Sequence, residues 1–378
     1  MQLTDEILAW YDGHRQEAYD LLLELAQIPA PSNHEEKRAE FCKAWLEAQG
    51  AKGVYIDEAL NVVWPVGCTQ DNELAVYMAH SDVVFPDTQP LPLRVEDGKI
   101  FCPGIGDDTA NAVALLTTAQ YIARHGLVPA DGKGVLLVIN SGEEGLGNLK
   151  GSRKIMKDFG PRIHTFVTFD SGSVHIVNGA VGSKRYKVEV DTEGGHSFGA
   201  FGNRNAIAYL ASLIDALYCM KVPARGKTTY NVGTISGGTS VNTIAQHAEM
   251  LYEFRSDNRE DLAEMEAHFR AAVAFYTAKG VRVTVTQVGD RPCGGEMDPE
   301  RQNALEQRAE AALTRWRGKE PSRGSGSTDC NIPLSMGIPS VCLGCVLSHG
   351  AHTRGEYAEI DSLLPGLKIA GEMILDHF

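Results

Sequence analysis

One feature constrains this chain more than any other. Apolar runs of strand length recur along it, and each stops at a histidine or a carboxylate. "ELAVYMA" ends at His80-Ser81-Asp82, "GVLLVIN" leads into Glu143 and Glu144, "HTFVTF" into Asp170, and "IPSVCLGCVLSHGA" into His352. Helical patterns alternate with these runs, one of them over 109–125 and closed by Gly126. That alternation predicts an α/β fold, a mostly parallel sheet with helices on both faces. In an open sheet of this kind, ligands bind in the crevice beyond the carboxyl ends of the strands. The residues that terminate the runs are therefore expected to converge.

The texture changes near residue 183. "KRYKVEVDT" alternates as a half-exposed strand does, and the order that follows is helix, two strands, helix, strand, ending with "VRVTVTQVG". This describes a self-contained α+β unit of about a hundred residues. After it the α/β pattern returns, with a helix through "ALEQRAEAALTRW", a Gly/Ser loop "SRGSGSTDC", the last strand run and a terminal helix. A chain of 378 residues is long enough for two such units. The expected division is 1–182 with 290–378 as the catalytic, metal-binding domain and 183–289 as an inserted domain.

Net charge is −14, spread along the chain, and basic clusters such as "GSKRYK" are short, which argues against a nucleic-acid partner. The amphipathic, acidic opening "MQLTDEILAWYDGHRQEAYDLLLELAQ" lacks the basic and apolar regions of a signal peptide, and no run approaches the length of a membrane span. A cytoplasmic protein with no membrane partner is expected. The eight cysteines, Cys42 and Cys219 among them, read as reduced thiols in apolar segments. Cys342 and Cys345 have redox or zinc-knuckle spacing, but no second pair accompanies them.

His80, Asp82, Glu143, Glu144, Asp170 and His352 follow strand runs, and Asp107 and Asp108 stand before the helix that starts near Thr109, with no lysine or arginine interleaved. Converging carboxylates repel one another unless multivalent cations neutralise them, so a metal cluster is expected. Two histidines with several carboxylates suit zinc or a similar ion better than calcium or magnesium. A pair of ions about 3.5–4 Å apart, bridged by a carboxylate, accommodates five ligands. Of the adjacent acids in "NSGEEGLGN", one can bind metal while its neighbour takes a proton from water, which is the machinery of hydrolysis.

In order and separation, "IPAPSNHEEKRAEF", "HSD", "GIGDD", "EEGLG", "FDSGS", "GGHSF", "GGTSVNTIA" and "AHTRGEY" resemble one family over essentially the whole chain. It is the co-catalytic di-zinc hydrolases that include peptidase T, aminoacylase, succinyl-diaminopimelate desuccinylase and glutamate carboxypeptidase. The resemblance implies a zinc-exopeptidase-like fold and two divalent ions, with zinc favoured and manganese or cobalt also compatible with the ligands. His80, Asp107 and Asp170 would hold one ion, Glu144 and His352 the other, and Asp107 would bridge them. Glu143 would be the general base, and Asp82 would fix the ring of His80. The family carries a lysine soon after the bridging aspartate, where this chain reads "DDTAN". The choices of Asp107 over Asp108 and of His352 over His349 rest on the family pattern, the latter on spacing to Glu356.

The inserted region resembles the family's lid and dimerisation domain. This implies a homodimer in which His196 of "GGHS" reaches the partner's active site and stabilises an oxyanion. Asn242 matches a substrate-contacting position, and Arg255 is a candidate for a substrate carboxylate or, equally, a structural arginine of its strand. Aspartate rather than glutamate at position 170 accompanies aminopeptidases of the peptidase T kind. The implied substrate is a di- or tripeptide, with N-acyl-amino-acid deacylation or carboxypeptidase action as the alternative. The loop holding Thr328 and Asp329 is expected to line the specificity pocket or shield the cleft.

Overall fold

The computed structural model describes residues 2–378. The chain forms two compact units, one built from both chain ends, up to Ala180 and from Gly295, the other from Val181–Gly294.

The first unit is organised on an eight-stranded sheet. In spatial order its strands are Tyr55–Ile56, Val62–Val66, Gly134–Asn140, Leu74–His80, Ile163–Phe169, Ser340–Leu343, His175–Ala180 and Ser322–Gly326. The four central strands run parallel. Leu74–His80 and Gly134–Asn140 are buried at every residue, as strands covered on both faces must be. Successive side chains go to opposite layers. Ala75, Tyr77 and Ala79 join the core built with helices Ala110–His125 and Ile360–Ile374, while Val76 and Met78 join the core built with Lys150–Phe159. Each fully buried aliphatic side chain there contributes about 1.5–3 kcal/mol.

Helix Ala110–His125 ends at Gly126 in the left-handed conformation (φ 59°), which frees the chain to turn back toward Gly134. The "SRGSG" segment, expected to be loop, is instead the edge strand Ser322–Gly326, paired parallel to His175–Ala180. Small residues make this possible, because a side chain on Gly179 would strike Ser325 across the pair. Composition marked the segment as irregular; the close approach of two strands uses the same residues.

The second unit is a four-stranded antiparallel sheet, ordered Thr228–Gly237, His247–Ser256, Gly182–Asp191, Arg282–Arg291. Helices Ala206–Tyr218 and Arg259–Ala278 pack on the face made by Tyr186, Val188, Val190, Met250 and Tyr252. Each helix has an asparagine N-cap, Asn205 and Asn258, whose side chain accepts from backbone N–H groups of the first turn. The element order is the one read from the sequence. Cys219, expected in the core, is exposed as the C-cap residue of helix Ala206–Tyr218.

Among the described residues, no helix is long and apolar enough to cross a membrane.

Candidate metal centre

His80 closes strand Leu74–His80, opposite Asn140 at the end of the neighbouring strand. Its Nδ1 lies 3.0 Å from the carbonyl oxygen of Asp82 and 3.5 Å from Asp82 Oδ1. With the ring proton held on Nδ1, the Nε2 lone pair is free for a ligand. That Nε2 faces Asp107 Oδ1 at 3.0 Å. The other oxygen of Asp107, Oδ2, lies 3.1 Å from His352 Nε2, which is also 2.9 Å from Glu144 Oε1. Two ligand triads result, His80–Asp107–Asp170 and Asp107–Glu144–His352, each with donor atoms within 4.8 Å of one another. They share Asp107. A third overlapping group, His80–Glu143–Glu144, brings Glu143 beside them.

Asp108 faces other partners. Its Oδ2 accepts the backbone N–H of His80 at 2.9 Å and its Oδ1 accepts Asn111 Nδ2 at 2.6 Å. The peptide bond between Asp107 and Asp108 is cis. His349 likewise lies apart, with Nε2 2.8 Å from Glu359 Oε1 and its ring stacked on Tyr357.

The five residues carry three carboxylates and two imidazoles, and no lysine or arginine among the described residues bonds any of them. Burial, then the Asp107 charge, pushes Asp170 up to about 6. Burial and the charges of Asp107 and Glu143 raise Glu144. Burial also works against Asp107, but the bonds from His352 and His80 outweigh it and hold that carboxyl far below its usual range. Asp107 and Glu144 in turn push His352 up to about 10. Among the described residues, the two imidazoles are the only groups bonded to these carboxylates that can carry positive charge. Divalent cations would supply that charge, and the mixed nitrogen and oxygen donor set fits zinc, manganese or cobalt.

Several buried groups hold the ligands. Asp82 Oδ1 accepts the N–H of Glu143 at 3.0 Å, and Oδ2 accepts the N–H of Glu144 at 2.9 Å and Ser32 Oγ at 2.7 Å. The side chain expected to orient one histidine therefore also orients two glutamates, and the closest contact of His80 Nδ1 is the Asp82 carbonyl. Glu35, fully buried, accepts the N–H of Gly142 at 3.0 Å and pairs with Lys150 Nζ at 2.8 Å. Arg38 is buried too, and its guanidinium donates to the carbonyls of Ile28 and Ser81 and to Thr109 Oγ1. Asn111 Oδ1 accepts the N–H groups of Cys345 and Val346, tying the first turn of helix Ala110–His125 to the segment after strand Ser340–Leu343.

Glu356 accepts three backbone N–H groups of the 104–107 loop. Burial pushes it up to about 7, against the pull of those bonds. Of these supports, sequence reading used only Asp82, and treated Glu356 solely as a spacing marker.

Asp329, whose loop was expected to line the specificity pocket or shield the cleft, is fully buried, with Oδ2 2.6 Å from Asn140 Nδ2. Thr328 is also buried. Cys342 and Cys345 are free, buried thiols raised by burial, and Cys342 Sγ donates to the Asp170 carbonyl.

His196, Asn242 and Arg255 belong to the inserted unit. His196 lies in a short ribbon with Thr243, and Ser197 N–H donates to the Asn242 carbonyl. Arg255 sits on strand His247–Ser256, bonded twice to Glu253 at 3.2 Å.

Two ligand triads sharing Asp107, with His80, Glu144 and Asp170 beyond the ends of parallel strands, form a candidate dinuclear metal centre. Residues 76–376 match peptidase family M20/M25/M40, and the chain belongs to that metal-dependent family. A solved tripeptidase from Staphylococcus aureus is 25% identical and superposes with a TM-score of 0.74, covering 95% of this chain and 97% of its own. The Bacillus subtilis YXEP protein, a dinuclear metal binding peptidase of the M20 family, is 15% identical, with a TM-score of 0.65 over 97% of this chain and 99% of its own. The uncharacterized Bacillus subtilis protein YqjE is 24% identical over 364 residues, 90% of this chain and 93% of its own.

Proposed function

We propose that the protein is a dinuclear metallopeptidase that removes residues from the free amino end of di- and tripeptides, acting in the cytoplasm as a homodimer. One observation carries the two-ion reading: Asp107 turns one oxygen to each histidine-bearing triad. His80, Asp107 and Asp170 would hold one ion, and Asp107, Glu144 and His352 the other, with zinc the first candidate. Such ions polarise a scissile carbonyl and make water acidic enough to attack near neutral pH.

Glu143 is the base in this reading. Its main chain is fixed by Asp82, and its carboxylate lies among the ligands. It takes the proton of the attacking water and returns it to the departing amine. His196 supplies the oxyanion contact from the partner subunit. Its Nδ1 accepts the N–H groups of Phe198 and Gly199, each at 3.3 Å, which leaves the proton on Nε2, the nitrogen that would donate. Asn242 contacts substrate in the same reading, and Arg255 is a candidate for a substrate carboxylate. The eight unpaired cysteines favour a reducing compartment.

Preference for unblocked peptides rests on Asp170 as the third carboxylate and on likeness to the tripeptidase. The test is amine release from two substrate panels, unblocked di- and tripeptides and N-acyl amino acids, with and without chelator. Chelator-sensitive cleavage of the unblocked panel alone is expected. Activity confined to the acylated panel would assign the site to deacylation, with the same metal centre.

A further inference from the structure

Asp108 and Thr109 anchor the loop carrying Asp107 from within, through the His80 N–H and the Gly104 carbonyl. Its backbone is gripped from outside by Glu356, 249 residues away in sequence. This side chain is fully buried. Its Oε2 accepts the N–H of Gly104 at 2.8 Å, and its Oε1 accepts the N–H groups of Gly106 at 2.8 Å and Asp107 at 2.9 Å. A buried carboxylate is costly unless hydrogen-bonded, and three backbone donors converging on one are a built cradle.

The glycines of "GIGDD" fit that cradle. Gly104 has φ 76°, and a side chain on Gly106 would collide with Ser348 and crowd Glu356 Oε1 at 3.3 Å.

The same short segment also carries His352. Thr353 N–H donates to the Gly350 carbonyl, Glu356 N–H to the Thr353 carbonyl, and Cys102 N–H to the Glu356 carbonyl. His352 itself has φ 64°. One compact turn therefore delivers a ligand of one triad and grips the backbone of the ligand shared by both. The two side chains meet at 3.1 Å, Asp107 Oδ2 to His352 Nε2.

We propose that Glu356 is a positioning residue that presets the bridging Asp107 for two metal ions, so that its loss weakens both ions together. This rests on the two-ion reading of the centre. A residue that merely stabilised the loop would lower the stability of the metal-free protein and leave the ion affinities alone. A residue supporting a ligand of a single site would weaken one ion. Coupled weakening of both is the signature of acting through Asp107.

The experiment is calorimetric titration of the metal-free full-length protein with zinc and, separately, manganese. It compares wild type, Glu356→Ala, Glu356→Gln and Asp170→Asn, with melting of each metal-free protein recorded alongside. Wild type should take two ions. Glu356→Ala should bind both about 10–100-fold more weakly, the range typical of groups that orient metal ligands. Glu356→Gln should fall between, because its amide oxygen can still accept N–H groups while its NH₂ meets a donor. Asp170→Asn should weaken chiefly one ion.

Wild-type affinity for both ions in the Glu356 variants, or weakening of one alone, overturns the inference and leaves the two-ion centre standing. Uptake of a single ion by wild type overturns the two-ion reading and this inference with it. Should Glu356→Ala fail to fold, the isosteric Glu356→Gln decides the matter by the same criterion.

Discussion

Two places in this molecule bring a histidine within ligand distance of opposed carboxylates, and they dispose of the charge in opposite ways. At the strand ends of the first unit, His80, Asp107, Glu144, Asp170 and His352 meet with no lysine or arginine bonded to them. On the helix-free face of the inserted sheet, Glu189, His247 and Glu249 approach one another as closely. There Lys187 Nζ sits 2.9 Å from each glutamate, Asp191 holds His247 Nδ1 at 2.9 Å, and Arg282 lies beside Asp191. Glu189 and Glu249 stand directly opposite on neighbouring strands, an unfavourable pairing that Lys187 relieves. Residue type and proximity alone therefore do not define a metal centre. A second condition does: carboxylates with no built-in cation to balance them.

The comparison breaks most visibly at Asp107. Asp107→Asn removes the carboxylate both triads share, and the protein should then retain neither ion after desalting and lose its chelator-sensitive activity. Metal content by elemental analysis checks this, and full retention of one ion would show that the triads are independent. A smaller effect is expected from Lys187→Met, which gives the inserted sheet the uncompensated glutamates of the other site. Denaturant unfolding should show a small loss of stability, and an unchanged midpoint would mean that solvent already screens the pair.

The smallest effect concerns pH. The bond to Asp191, then that to Glu249, raises the His247 imidazole above its ordinary value of about 6.5. The folded protein thus holds that proton more tightly than the unfolded chain. Its stabilisation is complete below about pH 6.5 and fades as pH rises through the raised value. His247→Gln should cost slightly more stability near pH 6 than near pH 9, at low salt. Equal cost at the two pH values would remove His247 from the ion-pair network.

The same contrast separates what the sequence made legible from what it did not. His80, Glu144 and Asp170 were readable because each follows an apolar run, and a parallel sheet places those run ends together whatever the intervening loops do; Asp107, which follows no such run, and His352, past the short strand Ser348–His349 of another sheet, rest on the family pattern. The layout of the inserted unit was readable from the switch to alternating strands. Asp82 was visible two residues from His80, but its bonds to the Glu143 and Glu144 backbone were not, since they require two strands already aligned. Glu35, Arg38 and Glu356 left no signal of their own. Each works by bonding backbone groups of distant segments, and a carboxylate that accepts N–H groups looks like any other glutamate in a chain with 49 acidic residues. The Gly/Ser run was misread for a related reason: small residues permit a loop and a close strand pair equally well.

The order of strands in the large sheet has a consequence for synthesis. Ser340–Leu343 lies between Ile163–Phe169 and His175–Ala180, which precede it in the chain by more than 150 residues. Until that strand leaves the ribosome, the edge of Ile163–Phe169 has no neighbour on that side, and exposed strand edges invite pairing with other chains. The inserted unit, complete by Gly294, can fold in the meantime, since domains generally fold as units during translation. His352 emerges later still, so the second ligand triad is completed only after the inserted unit and strand Ser340–Leu343 have both been made.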